Sequence, residues 1–365
     1  VTRRTTLALL AASAVLALSG CATYADGAPD AGTPAAAMPV LDEAFASTMT
    51  PQDNIDSLAS WRHEDGSTWV FGTAKATDRL VVYDGDTGRT LRTVGSTGTG
   101  AGQFQRPNGV FVIDDLLFVV ERDNRRVQVL SLPALAPLGH FGDDRLVKPY
   151  GLWARKAGDG YDLYVTDAYM AGEDAQGEDI LPPFAELDER VKRFRVTRTG
   201  DAVTGTDAGA FGDTGATGAL RVVESIWGDA DNDRLLVAEE DETYANEFKV
   251  YGLDGTFSGR VFGDDVFAAQ AEGIALYTCG TGGWWITTEQ ADNRTTFHLF
   301  ERGSLDHVGS FRGRMVANTD GIWLNQAGTT RFPQGAFYAV HDDQGMVGFD
   351  WRDIARAMDL PACPA

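Results

Sequence analysis

Histidine and cysteine are scarce in this chain of 365 residues, with five of the first and three of the second. His63, His140, His298, His307 and His341 are scattered without ligand spacing, which argues against a zinc-type centre. No Gly-x-Ser-x-Gly occurs, no glycine loop precedes a helix to cradle phosphate, and no Cys stands at useful spacing from a His. Positive charge is also short: 31 Lys and Arg face 53 Asp and Glu, a net −22. That field repels phosphate backbones and excludes nucleic acid as an expected partner. A small anionic substrate would need a local reversal of sign, which a bound divalent cation supplies. Leu7 to Leu18 is an apolar run of about 12 residues, too short to cross a bilayer. No long amphipathic helix pattern precedes Asp353 to Met358.

What is plentiful is glycine, 42 residues, with 19 Phe, 8 Trp and 10 Tyr. Many glycines with many aromatics favour short strands and tight turns. The first twenty residues read as a targeting segment: Arg3 and Arg4, the apolar run, then Leu18-Ser19-Gly20-Cys21. This string resembles a bacterial lipobox, in which Cys21 is lipidated. Ala22 in the next position lacks the Asp that retains lipoproteins at the inner membrane, so an outer-membrane lipoprotein is expected. Residues 21–50, rich in Ala, Gly, Pro, Ser and Thr, read as a flexible tether. An oxidising compartment lets Cys279 pair with Cys363 and tie down the tail at 353–365; two free buried thiols are the alternative.

The remainder repeats. A polar residue, then Gly or Ser, then an aliphatic recurs at Asp56, Asn108, Tyr150, Glu224, Glu272 and Asp320, at steps of 52, 42, 74, 48 and 48. The long step holds an acidic insertion at 172–189. Phe-Gly-Asp closes units at Phe141, Phe211 and Phe262, with looser forms at Val94-Gly95 and Phe311-Arg312-Gly313. Between markers lie short β-branched or aromatic runs such as Leu80 to Tyr83, Leu117 to Val120 and Leu235 to Val237. A period of about 40–50 residues with four strand patterns per unit predicts an all-β, six-bladed β-propeller over residues 51–352. Such a ring buries its own edges, so a monomer is expected.

In a propeller the first strand of each blade lines the axis, so the six marker residues share one height around it. Four of them are carboxylic acids. Facing one axis, they repel unless protonated or bound to a cation, and hard oxygen donors select Ca²⁺. The alternative is that each acid binds turn amides in its own blade. Within Glu239-Glu240-Asp241-Glu242, at the end of a strand, one or two acids could join the cluster; Glu289-Gln290 holds the analogous place in the next blade. Asp292 and Asn293 could reach the metal too, or form a hairpin turn.

Asp56-Ser57-Leu58-Ala59-Ser60-Trp61, Leu80 to Asp84, Leu236-Val237-Ala238-Glu239-Glu240-Asp241-Glu242, Glu272-Gly273-Ile274, Gln290, Phe300-Glu301-Arg302, Thr319-Asp320-Gly321-Ile322 and Phe332-Pro333-Gln334-Gly335-Ala336-Phe337 together resemble the β-propeller phytases. The resemblance spans about residues 53–352 and is strongest after 220. It implies a calcium-dependent phosphomonoesterase acting on phytate or related phosphate esters. It also implies calcium ligands at Asp56, Glu224, Glu240, Glu272, Gln290 and Asp320. Glu240, Lys75 and Tyr150 would take part in catalysis, and Lys75, Arg79 and Tyr150 would meet the substrate. The chain departs from the family at two cations: Ile113 follows Asn108-Gly109-Val110 where an Arg is expected, and Ala168 stands where a Lys is expected. Gln103 to Val110 and Arg122 to Val129 instead resemble an NHL repeat, a family of propellers used mostly as binding scaffolds. A calcium-stabilised, non-catalytic scaffold is therefore the rival expectation, and a calcium-dependent sugar-lactone hydrolase a weaker one. Arg106, Arg122, Arg125 and Arg126 could replace the missing clamp or form a solvated basic face.

Overall fold

The computed structural model describes residues 37–363. The chain divides into Val1–Ala37 and Met38–Ala365, and every element below belongs to the second unit. The lipobox with Cys21, and most of the expected tether, lie outside the described residues. No described helix is long and apolar enough to cross a membrane.

Six sheets, each built on four antiparallel strands, follow one another along the chain. Their innermost strands are Ile55–Arg62, Pro107–Ile113, Pro149–Ala157, Ile226–Asp229, Gln270–Cys279 and Ile322–Asn325, which begin blades 1 to 6. The Phe-Gly-Asp signals fall where expected: the outer strands of blades 2, 3 and 4 end at Phe141, Phe211 and Phe262. The molecule is thus a six-bladed β-propeller.

Two features differ from the expected boundaries. The tether does not extend to residue 50, because Val40–Leu41 and Phe45–Ala46 are strands. Phe45–Ala46 pairs antiparallel with Gly345–Asp350 and supplies the fourth strand of blade 6, so an early segment closes the ring on a late one. Val40–Leu41 adds a fifth, parallel strand to blade 5. Ring closure leaves no wide gap between first and last blades, and it hides edge strands that would otherwise offer unpaired amides. At the other end, the helix Trp351–Ala357 is capped by the Asp350 side chain. Trp351 stacks on Tyr277 of blade 5 with ring centroids 3.9 Å apart. Cys363 then bonds to Cys279 on the same inner strand.

The repeated polar-Gly/Ser-aliphatic triplet has a steric cause. A Cβ on Gly109 would lie 2.4 Å from the Tyr150 carbonyl oxygen, and one on Gly151 2.2 Å from that of Glu224. Gly273 approaches the Asp320 carbonyl in the same way, and Gly321 the Asp56 carbonyl, joining blade 6 to blade 1. Each of these glycines lets the next blade's marker residue approach the axis. In blades 1, 2, 3 and 5 the pairing register also shifts at the marker. Such a bulge turns a side chain that regular alternation would direct elsewhere.

Candidate functional site

Asp56, Tyr150, Glu224, Glu272 and Asp320, one from each of five blades, line a single axial cavity of about 60 Å³. That volume suits ions or a few waters and falls far below the several hundred Å³ of an organic-ligand pocket. Aromatics from alternate blades close in around the same cavity. Phe111, Trp227 and Trp323, each three residues after its marker, line it with centroids 5.1–5.5 Å apart. The triad joins blades 2, 4 and 6 across the axis as an apolar plug.

The carboxylates crowd. One oxygen each from Glu224, Glu240 and Glu272 lies within 4.8 Å of the others. Two donors held at about 2.4 Å from one calcium ion stand at most about 5 Å apart, so this spacing suits a single hard cation. Glu240 accepts the Ser225 backbone N–H at 3.0 Å through Oε1, while its Oε2 is buried with no hydrogen-bond partner. A buried oxygen left in that state is costly unless something positive meets it. Burial, then Asp56, pushes the Glu224 carboxyl up to about 8. Burial with Glu272 and Glu224 raises Glu240 well above the carboxylate range; burial with Asp320 and Glu224 does the same to Glu272. Asp320 is raised by burial and by Asp56, and a further acid outside the expected set, Asp343, raises it as well. Gln290 donates from Nε2 to Asp320 Oδ1. Of the six residues expected as ligands, Glu224, Glu240 and Glu272 meet at ligand distance, Asp56 and Asp320 line the same cavity, and Gln290 reaches it through Asp320; hard carboxylate oxygens at this spacing are of the kind calcium takes.

One ammonium stands among these acids. Lys75 Nζ lies 2.6 Å from Asp56 Oδ1 and 4.0 Å from Asp320 Oδ2. Burial works against the charge on Lys75, but Asp56 and Asp320 outweigh it and hold the ammonium protonated. Burial, with Asp56 and Glu224, drives the Tyr150 phenol far above its usual value, so it stays a neutral donor. Arg79 is placed differently: its guanidinium binds Asp53 at 2.6 Å, and Asp53 also accepts from Thr77. That pair ties the entry of blade 1 to its third strand, and Asp53 holds the cation offered for substrate.

The alternative reading of the acids, binding amides blade by blade, is realised by a second set. Glu121, Asp167, Glu239 and Glu289 sit at or near the ends of second strands, and each accepts backbone N–H groups from the loop entering its own blade. Glu239 and Glu240 are neighbours on one strand end and point apart: Glu239 accepts from Arg221, Val222 and Asp241, while Glu240 joins the axis. Asp292 and Asn293 form an exposed hairpin turn.

Beside the axial cavity, and sharing Tyr150 and Glu224 with it, lies a cleft of about 390 Å³. Arg106, Arg122 and Lys148 line it. The Arg106 Nε is buried without a hydrogen-bond partner among the described residues, and its charge reaches Glu224. Arg122 pairs with Asp123 at 2.8 Å, and Lys148 with Asp179 of the insertion. Of the other candidates, Arg126 is buried against Glu121 and loop carbonyls, and Arg125 is exposed on a turn. Ile113 packs partly buried against the hydrophobic core, and Ala168 lines the cleft. Lys148 and the insertion wall escaped the sequence reading. A signal existed: Arg106, Lys148 and Val222 each stand two residues before a marker, and all three face the cleft.

No family model matches the chain, and no curated protein does. Among solved structures it is similar to a chain of the BBS1N complex with ARL6DN, at 9% identity and TM-score 0.45, covering 84% of this chain and 97% of that one. It is also similar to a chain of the nidogen/laminin complex, at 12% identity and TM-score 0.44, covering 73% and 82%. At these scores the likenesses carry nothing about activity, and the propeller architecture rests on the six sheets themselves.

Proposed function

We propose that the protein is a calcium-dependent phosphomonoesterase of the β-propeller phytase type. The observation that carries the reading is the meeting of Glu224, Glu240 and Glu272 around an unpartnered buried oxygen, next to a cleft lined by cations. Glu224, Glu240, Glu272, Asp320 and Gln290 would hold calcium, with Asp56 and Lys75 balancing charge beside them. Bound calcium supplies charge neutralisation toward phosphate and a more acidic water. Arg106, whose Nε has no partner among the described residues, binds phosphate oxygens that the acids alone would repel, and Arg122 and Lys148, paired with Asp123 and Asp179, add positive charge beside it. Tyr150, kept neutral, donates a hydrogen bond toward the junction of cavity and cleft. The aromatic triad excludes water from the floor of the site, which strengthens the electrostatics above it. Water adds to phosphorus, the ester P–O bond breaks, and the alcohol leaves with a proton. Ile113 and Ala168 do not remove positive charge from the site on this reading, because Arg106 and Lys148 enter from the blade entrances.

The test is phosphate release from phytate and from simple phosphate monoesters during calcium titration. Release should vanish in EDTA and return with calcium. Folded, calcium-loaded protein that frees no phosphate from any ester sinks the reading; a calcium thermal shift without release would favour the NHL-like scaffold.

A further inference from the structure

We infer that Asp179 is an internal competitor for phosphate: its carboxylate holds the Lys148 ammonium until an anionic ligand displaces it, and it thereby sets the affinity of the cleft. The inference rests on the phosphomonoesterase reading and names a residue that governs binding at the same site. The three cations lining the cleft stand in three different states. Arg106 has a buried Nε without a partner among the described residues. Arg122 pairs with Asp123, its neighbour in the chain, at 2.8 Å. Lys148 pairs with Asp179, which comes from the insertion and lines the same cleft. Asp241, also in the lining, is engaged elsewhere: it pairs with Arg221 at 3.1 Å and accepts from the Thr243 backbone N–H at 3.0 Å. Of these two aspartates, only Asp179 pairs with a cation of the lining.

The pair is built to open. The Lys148 and Asp179 side chains are 27% and 45% exposed, and solvent-exposed ion pairs contribute little net stability. The backbone beneath Lys148 is fixed, because buried Asp167 accepts the Val147 N–H at 3.0 Å and the Lys148 N–H at 2.7 Å. Only the flexible side chain has to move. Asp179 sits on a hairpin, Gly172–Glu173 with Asp179–Ile180, between the second and third strands of blade 3. The insertion is anchored apart from this pair. The Tyr169 hydroxyl donates to the Glu186 carbonyl, and Phe184 packs on Tyr244 of blade 4 at 5.8 Å between centroids. Opening the pair therefore leaves the base of the insertion in place. A phosphate group carries about −1.5 to −2 charge near pH 7, more than a carboxylate, and it offers more acceptor oxygens. With Arg106 attracting it as well, it displaces Asp179 from Lys148.

The experiment measures inorganic phosphate binding to the full calcium-loaded chain by calorimetry, for wild type, Asp179→Asn, Lys148→Met and the double variant. Asp179→Asn should tighten phosphate about fivefold, because Lys148 no longer has to be released, and the same change in the Lys148→Met background should tighten it less than about twofold. Equal gains in the two backgrounds would show that Asp179 acts only through general negative charge, and they overturn the inference. So does the absence of any gain, or of any binding to either protein. A second readout follows the hairpin itself. The Ala171 and Asp174 amides donate to the Ile180 and Glu178 carbonyls at 2.8 and 2.9 Å. Their hydrogen exchange should quicken when phosphate saturates wild type and stay unchanged in Asp179→Asn; slower or unchanged exchange in wild type overturns the inference. Phosphate release separates this from the reading beneath it. Ester hydrolysis with equal phosphate affinity in wild type and Asp179→Asn removes the competitor and leaves the phosphomonoesterase standing. The gain in affinity without hydrolysis of any ester keeps the competitor and ends that reading.

Discussion

Blades 1, 4, 5 and 6 bring Asp56, Glu224, Glu240, Glu272 and Asp320 to the hub, whereas blades 2 and 3 bring Asn108 and Tyr150 and, two residues earlier, Arg106 and Lys148. Both groups begin each blade with the same kind of axial strand, and glycine lets neighbouring blades approach at Gly109 and Gly151 in one and at Gly273 and Gly321 in the other. They differ in side-chain chemistry and in the insertion that blade 3 carries. One group concentrates negative charge around a small cavity with the Lys75 ammonium among the acids; the other opens into a cleft lined by cations, apolar side chains and carboxylates. A symmetric frame thus holds an asymmetric set of side chains, and on the proposed function the acids would hold metal while the cations would meet substrate.

The sharpest way to break this division is at Glu240. Glu240→Ala should reduce phosphate release at least about 100-fold at saturating calcium, since it removes a donor from the cluster. A rate equal to wild type would remove Glu240 from the mechanism. Next in size is Lys75→Met. It leaves Asp56 buried without its 2.6 Å partner, and calcium-free protein should lose about 3–5 kcal/mol in denaturant unfolding. If the variant is as stable as wild type, the ammonium is not what balances the acids.

The pH dependence of calcium-free protein follows from the raised acids. Glu224 titrates near 8 in the folded state against 4.5 for the free side chain, so the folded state binds more protons between those values. The contribution of this carboxyl to stability should be fully present below about pH 4.5 and be lost as pH rises through 8, by a few kcal/mol in order of magnitude. Saturating calcium should flatten the slope. A calcium-free melting temperature that rises across that window would contradict mutual repulsion at the hub. The smallest effect is a reversal of sign: Glu240→Gln should melt a few degrees higher than wild type without calcium, by relieving repulsion, and lower with it. The same order of melting temperatures in both conditions would show that the two states do not differ at Glu240.

Much of this was legible along the chain. The marker period predicts six blades because each blade must satisfy the same ring geometry, and the glycine in the marker is what a carbonyl approaching within 2.2–2.6 Å of its missing Cβ demands. Glu224, Glu272 and Asp320 could be placed on the axis by phase alone. Glu239 and Glu240 could not be told apart, since adjacent residues on a strand end diverge and only the loop amides decide which is clamped. Arg79 was expected to meet substrate, yet Asp53 lies 26 positions away in sequence and 2.6 Å away in space. The closing strand at Phe45–Ala46 was hidden in a segment whose composition reads as tether, because two residues carry no periodicity.

Sequence by itself determined the repeat, the sign of the hub and the chemistry available there, because period and residue type are local properties of the chain. Tertiary structure decided which acids meet one another and which bind amides, which cations stay available, and that the acidic insertion brings Asp179 and Leu181 to the cleft. Those outcomes depend on the direction each side chain takes and on neighbours from distant blades, and neither is written in any one segment.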